Sequence, residues 1–193
     1  MFERLKKVFE KPTEKPAGDE GLDKLDAASN EFANAIIRRL QDHRGVHAET
    51  AITAAGSIAG NCLLRAAGHD LSKLTPGSAV FTDEVNEAGP KIVGVMSIVC
   101  SKLGINPQTG WDSQPPVGNA SLRPGIELIK LLRPDFETVV REHRVGKDIE
   151  PFVAAAAAVK IIKMAQTTLN PEVGKAIAIT SVVAGSKTVP YPD

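Results

Sequence analysis

The chain has 193 residues, 42% of them hydrophobic, which fits a single domain with its own core and excludes wholesale disorder. Its 23 basic and 23 acidic side chains cancel and no Lys/Arg block stands out, so a nucleic-acid partner is not expected. Aromatic residues make up only 4%, so the core must be aliphatic and alanine-rich, which suits closely packed helices better than a β-sandwich.

The chain opens with MFERLKKVFEK, where Phe2, Leu5, Val8 and Phe9 share one side of a short amphipathic helix. Such an arm is expected to dock on its own domain or on a partner, either a second copy in a homo-oligomer or another protein; membrane-surface attachment is the weaker reading. A proline-containing, mixed-charge linker closes this segment (residues 1–18). The opening stretch has no secretory apolar region, and no uncharged run reaches the roughly 18–20 residues a membrane span needs. A soluble, cytoplasmic protein is therefore expected.

Leu22–Arg44 carries an apolar stripe (Leu22, Leu25, Ala28, Phe32, Ala35, Ile36, Leu40) and is expected to be a helix stopped by Gly45. The next helix runs from His47 to Ala67 and is expected to stop at Gly68. Between Ala51 and Leu64 it has no charge on any face, the mark of a helix enclosed by others. Its small residues, with Gly56 and Gly60 among them, let neighbouring axes approach closely. LSKLTPGSAVF is a connection with a short helical turn after Leu71. A helix then runs from Asp83 to Leu103, capped by Thr82 and stopped by Gly104, with a kink at Pro90 or a fresh start at Gly89. Within it KIVGVMSIVC also has the composition of a buried strand.

Residues 105–122 form a long loop holding the only tryptophan, Trp111. Helices follow at Pro124–Leu132, Pro134–Val145 and Asp148–Leu169, and a last one runs from Asn170 (N-cap) and Pro171 to Gly185. The two cysteines, Cys62 and Cys100, lie in apolar runs and read as buried free thiols. AITAAGS (Ala51–Ser57) is echoed by AITSVVAGS (Ala178–Ser186), as in two helices that pack in a similar way. The expected fold is an all-α, single-domain bundle of six or seven helices. Its central small-residue helix is 47–67; an arm and linker (1–18) precede the helical domain (19–185), and an extended tail (186–193) follows.

Chemistry-bearing motifs are few. The chain has no GxSxG, CxxC, Walker loop or dinucleotide fingerprint. His143 shares an apolar face with Phe136, Val139 and Val140 and reads as a packed or rim histidine. The string GHDLSK holds His69, Asp70 and Lys73 beyond an apolar helix that has His47 upstream. It resembles the pattern of HD-domain metal phosphohydrolases. The resemblance implies a divalent metal on His47, His69 and Asp70, a metal-bound water attacking a phosphate ester, and Lys73 near that phosphate. Lys163 stands where such enzymes tend to place an acid. The three ligands meet only if the chain reverses at Gly56–Gly60; one continuous helix, which we expect, holds His47 and His69 roughly 30 Å apart. The primary expectation is thus a binding or structural module without its own catalysis or cofactor. A small ligand or peptide would sit under the 105–122 loop, with Trp111, Asp112 and Asn119 at the rim.

Overall fold

In the computed structural model, which describes residues 19–68, 70–105 and 114–192, six α-helices follow one another. They are α1 (Asp19–Leu40), α2 (Ala48–Ala66), α3 (Asp83–Lys102), α4 (Gly125–Glu142), α5 (Glu150–Ala165) and α6 (Pro171–Ser186). A 3-10 turn, Leu71–Lys73, follows α2, and no strand forms among the described residues. No described helix is long and apolar enough to cross a membrane. The arm and linker, Trp111, Asp112 and His69 lie outside the described residues.

Helix ends follow local chemistry. The Thr82 hydroxyl accepts from the Val85 N–H at 3.2 Å to start α3, and the Asn170 side chain accepts from the Glu172 N–H at 2.9 Å to start α6. Gly68 and Gly104 take positive φ (+76° and +68°) just past α2 and α3, where a side chain would be strained.

The uncharged helix α2 is the centre of the bundle. It is unbroken through Gly56 and Gly60 and packs most extensively on α6 and α5. A Cβ at Gly60 would collide with the Val182 carbonyl, and one at Gly185 with the Ser57 carbonyl. The α2 and α6 backbones therefore touch with no side chain between them. Ala51–Ser57 and Ala178–Ser186, the echoing segments, are the two sides of this contact. In α5, which also packs on α2, Ala154–Ala158 are fully buried. α1 covers α5 and α4, and α3 covers α5. Phe32 of α1 meets Phe136 of α4 edge-on, ring centres 4.7 Å apart.

Several boundaries differ from expectation. α1 ends at Leu40, because Asp42 draws the chain into a tight turn: its carboxylate accepts from the Arg44 N–H at 2.7 Å, and Asp42 and Gly45 exchange backbone hydrogen bonds. Pro90 neither ends nor restarts α3, and residues 91–100 are helical. Pro134 does not divide α4, so the two helices expected there are one. Both prolines are exposed, as are Asn86 and Lys130 four residues before them, so water can reach the carbonyls that lose a donor. α5 begins at Glu150 and ends at Ala165, inside the expected bounds. The segment after α6 pairs with the α2–α3 connection: the Gly77 N–H donates to the Val189 carbonyl at 2.8 Å, and the Val80 N–H to that of Lys187 at 2.9 Å.

Candidate functional site

The continuous α2 decides where the histidine-aspartate pattern goes. His47 is the N-cap of α2, and Asp70 caps the 3-10 turn beyond its far end. A helix of 19 residues separates them, roughly 28 Å of rise. The reversal needed to bring both to one ion is not there. His47 is engaged in structure: Nδ1 accepts from the Thr50 N–H at 3.3 Å and lies 2.9 Å from the Thr50 hydroxyl. Asp70 accepts from the Ser72 hydroxyl at 2.6 Å and N–H at 3.1 Å, and lies 3.3 Å from the Lys73 ammonium. These contacts, the Ser72 hydroxyl first, hold its carboxyl below the usual range. No group of three or more His, Cys, Asp or Glu that could hold a metal occurs among the described residues.

Asn119 also has a structural task. Its amide donates to Glu49 at 3.2 Å, and the Leu122 N–H donates to the Thr50 hydroxyl at 2.9 Å. The end of the long loop is thereby pinned to the start of α2. A groove of about 660 Å³ opens there, lined by Arg39, Arg44, His47, Leu122 and Arg123 among others. The groups that could hold a ligand are largely engaged. Arg39 clasps Asp135 with two hydrogen bonds of 2.9 and 2.8 Å, and Arg44 lies 3.4 Å from Asp42.

A different cleft, of about 420 Å³, lies where the C-terminal half of α2 meets α4 and the start of α5. Such a volume falls in the usual range for small-molecule sites. Its floor is apolar, with Ile58 and Phe136 both buried. Its walls are polar: Asn61 and Arg65 from α2, Arg133 and Glu137 from α4, Lys147 from the turn before α5 and Glu150 at the start of α5. Arg133 donates through Nη1 to Asn61 Oδ1 at 3.0 Å and through Nε to Glu137 at 2.8 Å. Lys147 lies 2.9 Å from Glu150.

Asn61 is the unusual member. It is only 2% exposed, yet its Nδ2 has no hydrogen-bond partner among the described residues. The guanidinium of Arg133 can only donate, so the amide must turn its oxygen to Arg133 and leave its NH2 over. Buried donors of this kind are scarce and cost about 1–3 kcal/mol unless something accepts from them.

Cys62 stands in the same wall and is half-buried, where full burial was expected; Cys100 is buried. Burial, reinforced by Glu150, pushes its thiol up to about 12. Burial likewise pushes Cys100 up to about 11. Both stay protonated near neutral pH, which makes them poor nucleophiles.

Sequence reasoning missed this cleft. Its signal was present: Asn61 is the one carboxamide on α2, set in an uncharged run where a polar side chain must find a partner. No family model matches the chain, and no curated protein or solved structure matches it either.

Proposed function

We propose that the protein is a helical binding module that holds a small ligand in the cleft between α2, α4 and α5 and performs no catalysis of its own. The observation that carries this reading is the buried Asn61 amide, whose NH2 has no acceptor among the described residues. A ligand acceptor would recover the cost of that donor. The apolar floor of Ile58 and Phe136 supplies area for a ligand body, and the polar rim supplies orientation. The protonated state of Cys62 and the lack of a nucleophile motif support binding over chemistry.

The test is a fragment screen by ligand-observed NMR on the full chain, repeated on Ala66→Trp. Ala66 lines the cleft and is exposed, so an indole there has room and obstructs the mouth. Hits on the native chain that vanish in the variant, with its helical circular dichroism unchanged, support the reading. Hits of equal strength on both chains, or none on either, overturn it.

A further inference from the structure

Resting on the ligand-site reading above, we infer that the cleft takes an uncharged carbonyl compound, its oxygen on the Asn61 NH2 and its apolar body on Ile58 and Phe136. Asn61 is 2% exposed, and its Nδ2 meets no acceptor among the described residues. That group can only donate, so what meets it must accept. Beside it stands a second donor, the Arg133 guanidinium, 3.0 Å from Asn61 Oδ1. A carbonyl oxygen has two lone pairs and brings no hydrogen of its own to a wall of donors.

The charged groups of the lining decide against an ion. Glu137 accepts from Arg133 at 2.8 Å, and Glu150 lies 2.9 Å from Lys147. Arg133 has further interactions besides these, and Arg65 has interactions of its own. Each of the three cations is therefore engaged within the protein. A carboxylate reaching Asn61 would leave water beside Glu137 and Glu150 with no cation set aside for it. Burying a charge on those terms costs far more than burying a neutral carbonyl. An amidinium offers Asn61 only donors. The volume of about 420 Å³ and the apolar floor suit a compact, uncharged body.

The experiment titrates the 15N-labelled full chain with acetophenone, benzoate and benzamidine, following the assigned Asn61 side-chain amide resonance. Acetophenone is expected to shift it to saturation, with benzoate and benzamidine at least about tenfold weaker, a gap of about 1.4 kcal/mol. Asn61→Asp keeps the shape of the side chain and an oxygen toward Arg133, and puts an acceptor where the donor was. Followed through the backbone resonances of Ile58 and Phe136, it is expected to abolish the preference for acetophenone over benzamidine. Benzoate or benzamidine binding the native chain as tightly as acetophenone overturns the carbonyl assignment. So does failure of acetophenone to move the Asn61 resonance, or a preference for acetophenone that persists in Asn61→Asp with helical circular dichroism unchanged. The native-chain titration decides alone if that variant does not fold. The cleft itself as a ligand site stands or falls separately, on the Ala66→Trp screen.

Discussion

At the scale of single residues, two buried polar groups are handled differently. Asn61 is left with half its amide unsatisfied, whereas Lys160 of α5 is paired: its ammonium donates to the Asp26 carboxylate and to the Asp26 carbonyl, both at 2.8 Å. Burial nonetheless pulls the Lys160 ammonium below its usual range, against the pull of Asp26. Taking the charge out of water thus costs more than the pairing returns. Its partner is wet, since the Asp26 side chain is 69% exposed. Lys160→Met should therefore leave stability within about 1 kcal/mol of the native chain or raise it, because no buried charge is stranded. Asp26→Ala, which strands the buried ammonium, should cost about 1–3 kcal/mol. Urea unfolding of both variants checks the order; a larger loss in Lys160→Met would contradict it. The thiols give a second residue-scale expectation. In the native chain at pH 8, Cys62 and Cys100 should react with a disulfide reagent far more slowly than in urea, because burial keeps them protonated. Equal rates would refute this.

At the scale of elements, the α2–α6 contact makes one substitution change sign with position. Gly60→Ala would drive a methyl into the Val182 carbonyl and Gly185→Ala one into the Ser57 carbonyl, both backbone atoms that cannot step aside. Each should cost about 3 kcal/mol or more. Gly89 of α3 has nothing within 4 Å of its would-be Cβ, so Gly89→Ala should stabilise by about 0.5–1 kcal/mol through helix propensity alone. Thermal unfolding midpoints moving the same way in all three variants would refute the packing account. Much at this scale was legible in the sequence. The uncharged run predicted an enclosed helix, and Thr82 and Asn170 announced their caps. Pro90 and Pro134 misled because proline reports a lost donor but not which face of the helix it lies on, and both lie on the solvent side. The candidate cleft was illegible for another reason. Asn61, Arg133 and Glu150 come from three elements, and only the packing of α2, α4 and α5 brings them together. The histidine-aspartate pattern was conspicuous because its members are close in sequence to one helix, but that helix holds its ends apart.

At the scale of the whole molecule, the titratable groups that folding takes out of water set how stability responds to alkali. An unfolded thiol ionises near 9, while the folded Cys62 and Cys100 keep their protons up to about 12 and about 11. Above pH 9 the unfolded chain therefore binds fewer protons than the folded one, and stability falls as pH rises. The slope is on the order of 1 kcal/mol per pH unit for each thiol. Below pH 9 both states hold the proton, and this contribution is fully present. Lys160 acts with the opposite sign. Its folded value lies below the ordinary 10.5, so the folded chain releases that proton first and gains stability as pH climbs toward 10.5. The two thiols outweigh the one amine, so the urea midpoint should decline between pH 9 and 10.5. Cys62→Ala with Cys100→Ala should flatten or reverse that decline, and Lys160→Met should steepen it. A midpoint independent of pH in the native chain, or a decline untouched by removing both thiols, would show that these groups do not control the alkaline limit of the fold.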